Sequence, residues 1–264
     1  MTKIKDKIAW VTGASSGIGE ALVYELANKG AKVVISARRR ELLEEVKAKS
    51  SKPENIMILP LDLANMESFD SKVAEVIAHF GRIDILFNNG GISQRGMAMA
   101  TDLSVDRRIM EIDYFGTIAL TKAVGSHMVN QNSGHFVVTS SLVGKFGSPW
   151  RSSYAAAKHA LHGFFESLRT ELHDNNIKVT IVCPGFIKTD VSVNALGADG
   201  KATGEMDNAQ ANGMSATECA KRIVKAVEKD KLETVIGGTQ RFGVLLKRLF
   251  PGVFAKMILK RSVR

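Results

Sequence analysis

Ile8-Ala9-Trp10-Val11 is a short apolar strand that runs directly into Thr12-Gly13-Ala14-Ser15-Ser16-Gly17-Ile18-Gly19. A helical pattern begins at once, with Ala21, Leu22, Leu26 and Ala27 on one face. Glycines in such a turn let backbone N–H groups approach a pyrophosphate, and the amino end of the helix adds favourable partial charge. The spacing Gly-x-x-x-Gly-x-Gly differs from the Gly-x-Gly-x-x-Gly of many dehydrogenases, and tight packing alone also selects glycine. The turn therefore constrains the architecture more than it fixes the ligand.

Farther along, apolar β-branched runs at 32–37, 56–61, 83–87, 134–140, 179–183 and 234–236 read as strands. Helical patterns near 39–50, 66–80, 103–131, 151–174 and 215–229 alternate with them. Strands apolar enough to be covered on both faces predict an α/β fold, a single-domain Rossmann-type doubly wound parallel sheet. With 264 residues and 45% hydrophobic content, the chain buries a sizeable core and needs no second domain. The expected organisation is a nucleotide-binding catalytic domain over 1–240 and a basic amphipathic extension over 241–264. Within the domain, 188–214 is rich in Gly, Asn, Asp and Ala without a sustained period. Its place just after Pro184-Gly185 makes it a candidate lid.

Chemistry enters with Tyr154, Lys158 and, thirteen residues before the tyrosine, Ser141. A Tyr-x-x-x-Lys pair on a helix shares one face, about one 5.4 Å turn apart. A free phenol is a poor base at neutral pH, and an adjacent ammonium favours tyrosinate. The serine hydroxyl can bond the same substrate oxygen. Such pairs also occur by chance on helix surfaces, so the weight comes from the company they keep.

Thr12-Gly-x-x-x-Gly-x-Gly19, Asn88-Asn89-Gly90-Gly91, Ser141, Tyr154-x-x-x-Lys158 and Pro184-Gly185 stand in the order and spacing of the short-chain dehydrogenase/reductase family, which the chain resembles over residues 5–237. The resemblance implies that a carbonyl oxygen sits between Ser141 and Tyr154 while a nicotinamide supplies hydride. Tyr154 is then acid in reduction and base in oxidation, Ser141 polarises the carbonyl, and Lys158 acts on the phenol and holds the ribose. It also implies that Gly13, Ser15, Ser16, Gly17, Ile18 and Gly19 form the pyrophosphate turn. Asp62 and Leu63 would flank adenine, Asn89 and Gly90 would line the adenine ribose, and Pro184, Ile187 and Thr189 would meet the nicotinamide end, where Tyr154 and Lys158 also lie. After the second strand stands Ser36-Ala37-Arg38-Arg39-Arg40, with no acid for the 2′-OH of NAD and with Arg38 available to the extra phosphate of NADP. NADP(H) is therefore expected over NAD(H), although Ser16 stands where many NADP-preferring members carry a basic residue.

Two further departures from the family pattern concern the site. Asp113 replaces the usual asparagine that holds a water linked to the lysine. An ionised Asp113 would stabilise the Lys158 ammonium and partly cancel its pull on Tyr154, giving an alkaline-shifted activity optimum. Alternatively, it accepts the water's proton as the asparagine oxygen would. Gly90 replaces alanine, with no expected change of chemistry.

Net charge is +9, and 241–264 carries Arg241, Lys247, Arg248, Lys256, Lys260, Arg261 and Arg264 with no acid. These interleave with Phe242, Leu245, Leu249, Phe250, Val253 and Phe254, and Pro251-Gly252 divides two short helical elements. Such elements either pack over the substrate pocket or in a dimer, or lie on an anionic membrane surface. Nucleic acid is not an expected partner, since no recognition motif accompanies the charge. Cys183 and Cys219 do not make a disulfide framework, and the scattered histidines lack zinc spacing, so no metal is expected. Residues 1–6 are short and charged, and no long apolar run occurs, which suits a cytoplasmic chain with peripheral membrane contact as the alternative. The phrase Gly144-Lys145-Phe146-Gly147-Ser148-Pro149 with Arg151-Ser152-Ser153-Tyr154 is most similar to the member-seven group of dehydrogenase/reductases, some of them membrane-linked.

The expected activity is NADP-dependent hydride transfer to or from a carbonyl or alcohol on a mostly apolar small molecule, by a homodimer or homotetramer. Reduction of a 3-oxoacyl group on an acidic acyl carrier protein is one alternative. A non-catalytic NADP-binding redox sensor is another, and the intact Ser141, Tyr154 and Lys158 argue against it.

Overall fold

In the computed structural model, which describes residues 1–259, seven parallel strands form one sheet in the order β3-β2-β1-β4-β5-β6-β9. The strands are β1 (Ile8–Thr12), β2 (Lys32–Ser36), β3 (Ile56–Ile58), β4 (Ile85–Asn88), β5 (Gly134–Thr139), β6 (Ile177–Pro184) and β9 (Glu233–Ile236). Lys260, Arg261 and Arg264 of the basic tail lie outside the described residues. Alternation along β1 explains why the sheet needs two covers: Ala9 and Val11 join one buried cluster, Ile8 and Trp10 the other.

On the first face α1 (Gly17–Asn28) and α8 (Ala216–Glu228) pack together through Leu22, Val23, Leu26, Ile223, Val224 and Val227. On the second lie α3 (Phe69–Phe80), α5 (Thr117–Asn130) and α6 (Ser152–Glu171), which bury Phe69, Val73, Leu120, Val124, Leu161 and Phe165. Each such side chain contributes about 1.5–3 kcal/mol by leaving water. The short α2 (Arg40–Lys49) follows β2 and turns Leu43 and Val46 into the first cluster. Trp10 is fully buried, and its indole N–H donates to Ser36 Oγ at 2.8 Å, whose hydroxyl donates to Leu59 O at 2.6 Å. No polar atom of that trio is left without a partner in the core.

Three expectations are refined. β3 ends at Ile58 rather than Leu61, although Leu59 and Leu61 still donate to Ile35 O and Ala37 O; Pro60 falls between these donors on the edge strand, where its lack of an N–H removes no bond to β2. The helix expected over 103–131 is interrupted: α4 (Leu103–Met110) and α5 are joined by a π-helical turn, Glu111–Gly116. Gly116 there abuts the main chain of Leu63, where an added Cβ would come within 2.3 Å of Leu63 O. The stretch 188–214 is not wholly irregular. Its ends are zipped by β7 (Ile187–Lys188) pairing with β8 (Met214–Ser215), and α7 (Asn208–Ala211) lies inside it. After β9, α9 (Phe242–Leu249) and α10 (Pro251–Leu259) form the two short helices separated at Pro251. Among the described residues no helix is long and apolar enough to cross a membrane.

Candidate active site

A cavity of about 1260 Å³ opens beyond the carboxyl ends of β1, β4, β5 and β6, where an open α/β sheet places its crevice. Its first part is the cradle built by the β1–α1 turn. Gly13 and Gly17 have φ of +64° and +59°, conformations natural to glycine. A Cβ on Gly13 would sit 2.7 Å from Gly90 Cα, so the two loops touch backbone to backbone. Thr12 secures that contact: its Oγ1 accepts from Asn89 N at 3.0 Å and Gly90 N at 2.9 Å. Asn89 Nδ2 donates back to Thr12 O at 3.2 Å. Ser16, the N-cap of α1, makes no capping bond with its side chain, so the leading N–H groups of that helix face the cavity without a side-chain acceptor. The glycine cradle and the uncapped helix end suit a dinucleotide pyrophosphate.

Of the residues assigned to cofactor binding from the sequence, Gly13, Ser15, Ser16, Gly17, Ile18, Arg38, Asp62, Leu63, Asn89, Gly90, Tyr154, Lys158, Pro184, Ile187 and Thr189 line this one cavity. Gly19 does not line it. It sits behind the turn, where a Cβ would meet Gly13 O at 2.0 Å, so its part is to let the helix close on the turn. Gly90 has a local reason to lack a methyl, since Leu63 Cδ1 occupies that space, 2.9 Å from where a Cβ would be.

Ser141, Tyr154 and Lys158 line the cavity together. Ser141, two residues past β5, is in extended backbone and caps the following turn, with Oγ accepting from Val143 N at 3.3 Å and donating to Pro184 O at 3.5 Å. Tyr154 and Lys158 come from the first turns of α6, and the ammonium lies 5.5 Å from the centre of the tyrosine ring. Lys158 Nζ also donates to Thr139 O at 3.2 Å.

Asp113 is not in the wall but behind it, with no exposed surface. The π turn carries it there. Oδ1 accepts from Ile92 N at 2.7 Å, and Oδ2 lies 3.2 Å from Lys158 Nζ as an ion contact without a directed hydrogen bond. Burial raises the Asp113 pKa above the ordinary carboxylate range, against the opposing pull of Lys158 and the Ile92 N–H. For Lys158, burial acts to lower the pKa, but the charges of Asp113 and Tyr154 outweigh it and hold the amine cationic. Asp113 thus places a buried carboxylate behind the lysine that faces the phenol.

One part of the cavity was not foreseen from sequence. Arg95 and Arg151 meet Asp207 of the 188–214 segment, at 3.3 Å and 2.9 Å, near Tyr154. Phe242, Leu246, Leu249, Phe254 and Met257 of α9 and α10 complete the lining. Phe254 stacks on Phe146 at 4.9 Å between ring centres, and Lys247 Nζ donates to Lys145 O at 2.8 Å. The tail therefore packs over the pocket, one of the two arrangements its pattern allowed.

Below the site, His162, Cys183 and Glu233 bring ligand atoms within 4.8 Å of one another. His162 Nε2 lies 3.0 Å from Ser140 Oγ, Glu233 pairs with Lys145 at 2.7 Å, and burial pushes the Cys183 thiol up to about 12. The cluster reads as packing around a protonated thiol.

Residues 7–198 match the short chain dehydrogenase family. Over 98% of its length the chain is 43% identical to the Dehydrogenase/reductase SDR family protein 7-like of Anopheles gambiae, covering 84% of that protein. It is 38% identical to Dehydrogenase/reductase SDR family member 7B of Mus musculus, over 98% of this chain and 82% of that one. The crystal structure of a short-chain dehydrogenase from Streptomyces avermitilis superposes with a TM-score of 0.81 at 30% identity, covering 96% of each chain.

Proposed function

This chain belongs to the short-chain dehydrogenase/reductase family, and from that premise we infer that it is an NADP-dependent oxidoreductase that interconverts a ketone or aldehyde and its alcohol on a mostly apolar substrate. The observation that carries the reading is the stack of Tyr154, Lys158 and buried Asp113 at the junction between the glycine cradle and an apolar cavity.

A bound nicotinamide cofactor supplies the hydride in reduction and accepts it in oxidation. The cradle of Gly13, Ser15, Ser16 and Gly17 would hold its pyrophosphate, and Asp62, Leu63, Asn89 and Gly90 its adenosine half. Preference for NADP is supported by Arg38 and Arg39, which line the cavity just after β2 in a segment, Ser36-Ala37-Arg38-Arg39-Arg40, that carries no acid. Pro184, Ile187 and Thr189 line the other end.

In reduction, Tyr154 gives its phenolic proton to the carbonyl oxygen while Ser141 donates a hydrogen bond to that oxygen. The Lys158 ammonium stabilises the phenolate left behind, and in oxidation the phenolate takes the proton from the alcohol. No covalent intermediate is required. Lys158 can serve in this way because its own charge is fixed from behind by Asp113 and Thr139 O.

The apolar wall from α9 and α10 supports a hydrophobic substrate, and its outer side supports loading from a lipid surface. Phe242, Leu245, Leu249 and Phe250 line the cavity yet stay largely exposed at its mouth, and Val253 and Leu259 are exposed outside the lining, beside Lys247, Arg248 and Lys256. Following NADPH fluorescence against steroid, retinoid and acyl ketones tests the activity. Tyr154→Phe should lower turnover by about a hundredfold or more, and unaltered turnover in that variant would refute the assignment.

A further inference from the structure

We propose that Arg95 and Arg151 form an anion-binding fork in the substrate cavity, so that the substrate carries a carboxylate close to its reacting carbonyl and runs its apolar remainder towards α9 and α10. The inference rests on Tyr154 being the reaction centre. Arg151 precedes Tyr154 by three residues at the start of α6, which places the two about one helical turn apart, on the order of 5 Å. The acid group would then lie within a few bonds of the carbonyl, as in a 2-oxo or 3-oxo acid.

The charges do not balance in this corner. Two guanidinium groups, with side chains 14% and 9% exposed, share the single carboxylate of Asp207, itself 5% exposed. Both bonds go to the same oxygen, Asp207 Oδ2, while Oδ1 is used to cap α7 through Ala209 N at 2.8 Å. Arg95 Nη1 spends its remaining donors on Ser93 Oγ and Gln94 O, both at 3.2 Å. Arg151 is less satisfied. Its Nε is buried without a hydrogen-bond partner, and its guanidinium otherwise rests 5.6 Å from the centre of the Phe186 ring. Both arginines line the cavity, so an anion entering it would meet a guanidinium pair that its own partners leave incompletely satisfied.

Electrostatics agree with the geometry. Burial lowers the pKa of both arginines, Arg151 to about 10 with the like charge of Arg95 adding to the push, against the opposing charges of Asp207 and Tyr154. One net positive charge therefore stays under-compensated beside the phenol. Asp207 already shows that a carboxylate fits the fork. A planar carboxylate is what paired guanidinium groups recognise well, whereas an uncharged ester or amide leaves the excess charge in place.

The test is binding of decanoate, decanamide and decanol to the NADPH-bound protein by calorimetry, a readout independent of turnover. Decanoate should bind about ten- to a hundredfold more tightly than either neutral probe. Arg95→Met and Arg151→Met should each remove that preference while leaving decanol affinity in place. Asp207→Asn is the discriminating variant, because asparagine still caps α7 but releases the fork: decanoate affinity should rise and decanamide affinity stay level. Equal affinity for acid and amide, absence of binding by all three, or an equal loss for all three in Asp207→Asn would overturn the proposal and leave the arginines as a latch on the 188–214 segment. Tyr154→Phe should bind decanoate normally, so loss of turnover and loss of the anion site remain separate results. Turnover of neutral ketones without acid preference would sink only the fork.

Discussion

Replacing Asp113 by asparagine removes one buried negative charge while keeping the shape and the acceptor for Ile92 N. The 3.2 Å from Asp113 to the Lys158 ammonium and the 5.5 Å from that ammonium to the Tyr154 ring bound the carboxylate-to-ring separation at about 9 Å. At that distance, in an effective dielectric of about 20, a unit charge exerts about 2 kcal/mol, which corresponds to somewhat more than one pH unit. The sign follows from charge. A carboxylate near the phenol opposes loss of the phenolic proton, and its removal leaves the ammonium, still held by Thr139 O and by the charge of Tyr154, unopposed. The rising limb of the pH profile for alcohol oxidation should therefore move about one unit or more towards acid in Asp113→Asn, read as kcat/KM from pH 6 to 10. Stability should fall at the same time, because a buried ammonium loses its counter-charge. Breaking such a pair from one side costs about 3–5 kcal/mol, reduced here by the retained Thr139 carbonyl. A destabilised variant whose pH profile does not move would refute the coupling and make Asp113 purely structural.

Other outcomes can be checked independently. Arg38→Asp should shift the ratio of kcat/KM for NADPH over NADH by about a hundredfold towards NADH, since a charge-assisted phosphate contact becomes repulsion; an unchanged ratio would place the phosphate elsewhere. His135 is buried between Thr180 and Thr2, and burial depresses its pKa to about 4 from 6.5. The depressed value means its contribution is fully present above pH 6.5 and is lost as pH falls towards 4, up to about 3 kcal/mol. Urea unfolding of His135→Gln should lose that part of the acid sensitivity. Val253→Glu with Leu259→Glu changes exposed positions outside the cavity lining, so the melting temperature should hold while co-sedimentation with anionic vesicles drops several-fold. Equal sedimentation would remove the lipid-surface reading.

Local patterns made most of the fold legible. β1, the glycine turn and α1 are contiguous in sequence, and the alternation of Ile8, Ala9, Trp10 and Val11 between two buried clusters is the two-period signature of a doubly covered strand. Boundaries differed by a few residues at strand ends, as where β3 stops at Ile58 while Leu59 and Leu61 still bond to the chain around β2. The π turn was invisible for a different reason. Nothing in Glu111–Gly116 distinguishes it from the flanking helix by propensity; the extra residue in the turn is accommodated at Gly116, whose lack of a side chain lets Leu63 O approach.

The site divides along the same line. Tyr154 and Lys158 share a helix face, and Gly13 to Gly19 share a turn, so spacing alone brought each set together. Arg95 and Arg151 lie 112 and 56 residues before Asp207, and nothing local to any of them announces the others. Each taken alone reads as an ordinary surface charge. The pairing of Gln94 with Leu196 and of Gly96 with Arg151 brings the 188–214 segment and the start of α6 to the loop that carries Arg95, where the three side chains are largely covered. Chemistry common to a family is thus encoded in short spacings that a sequence displays, whereas selection among substrates is encoded in contacts that exist only after the chain has closed. The charge imbalance at Arg151 belongs to the second kind. It bears on what enters the cavity, while Tyr154, one turn away, bears on what happens once it has entered.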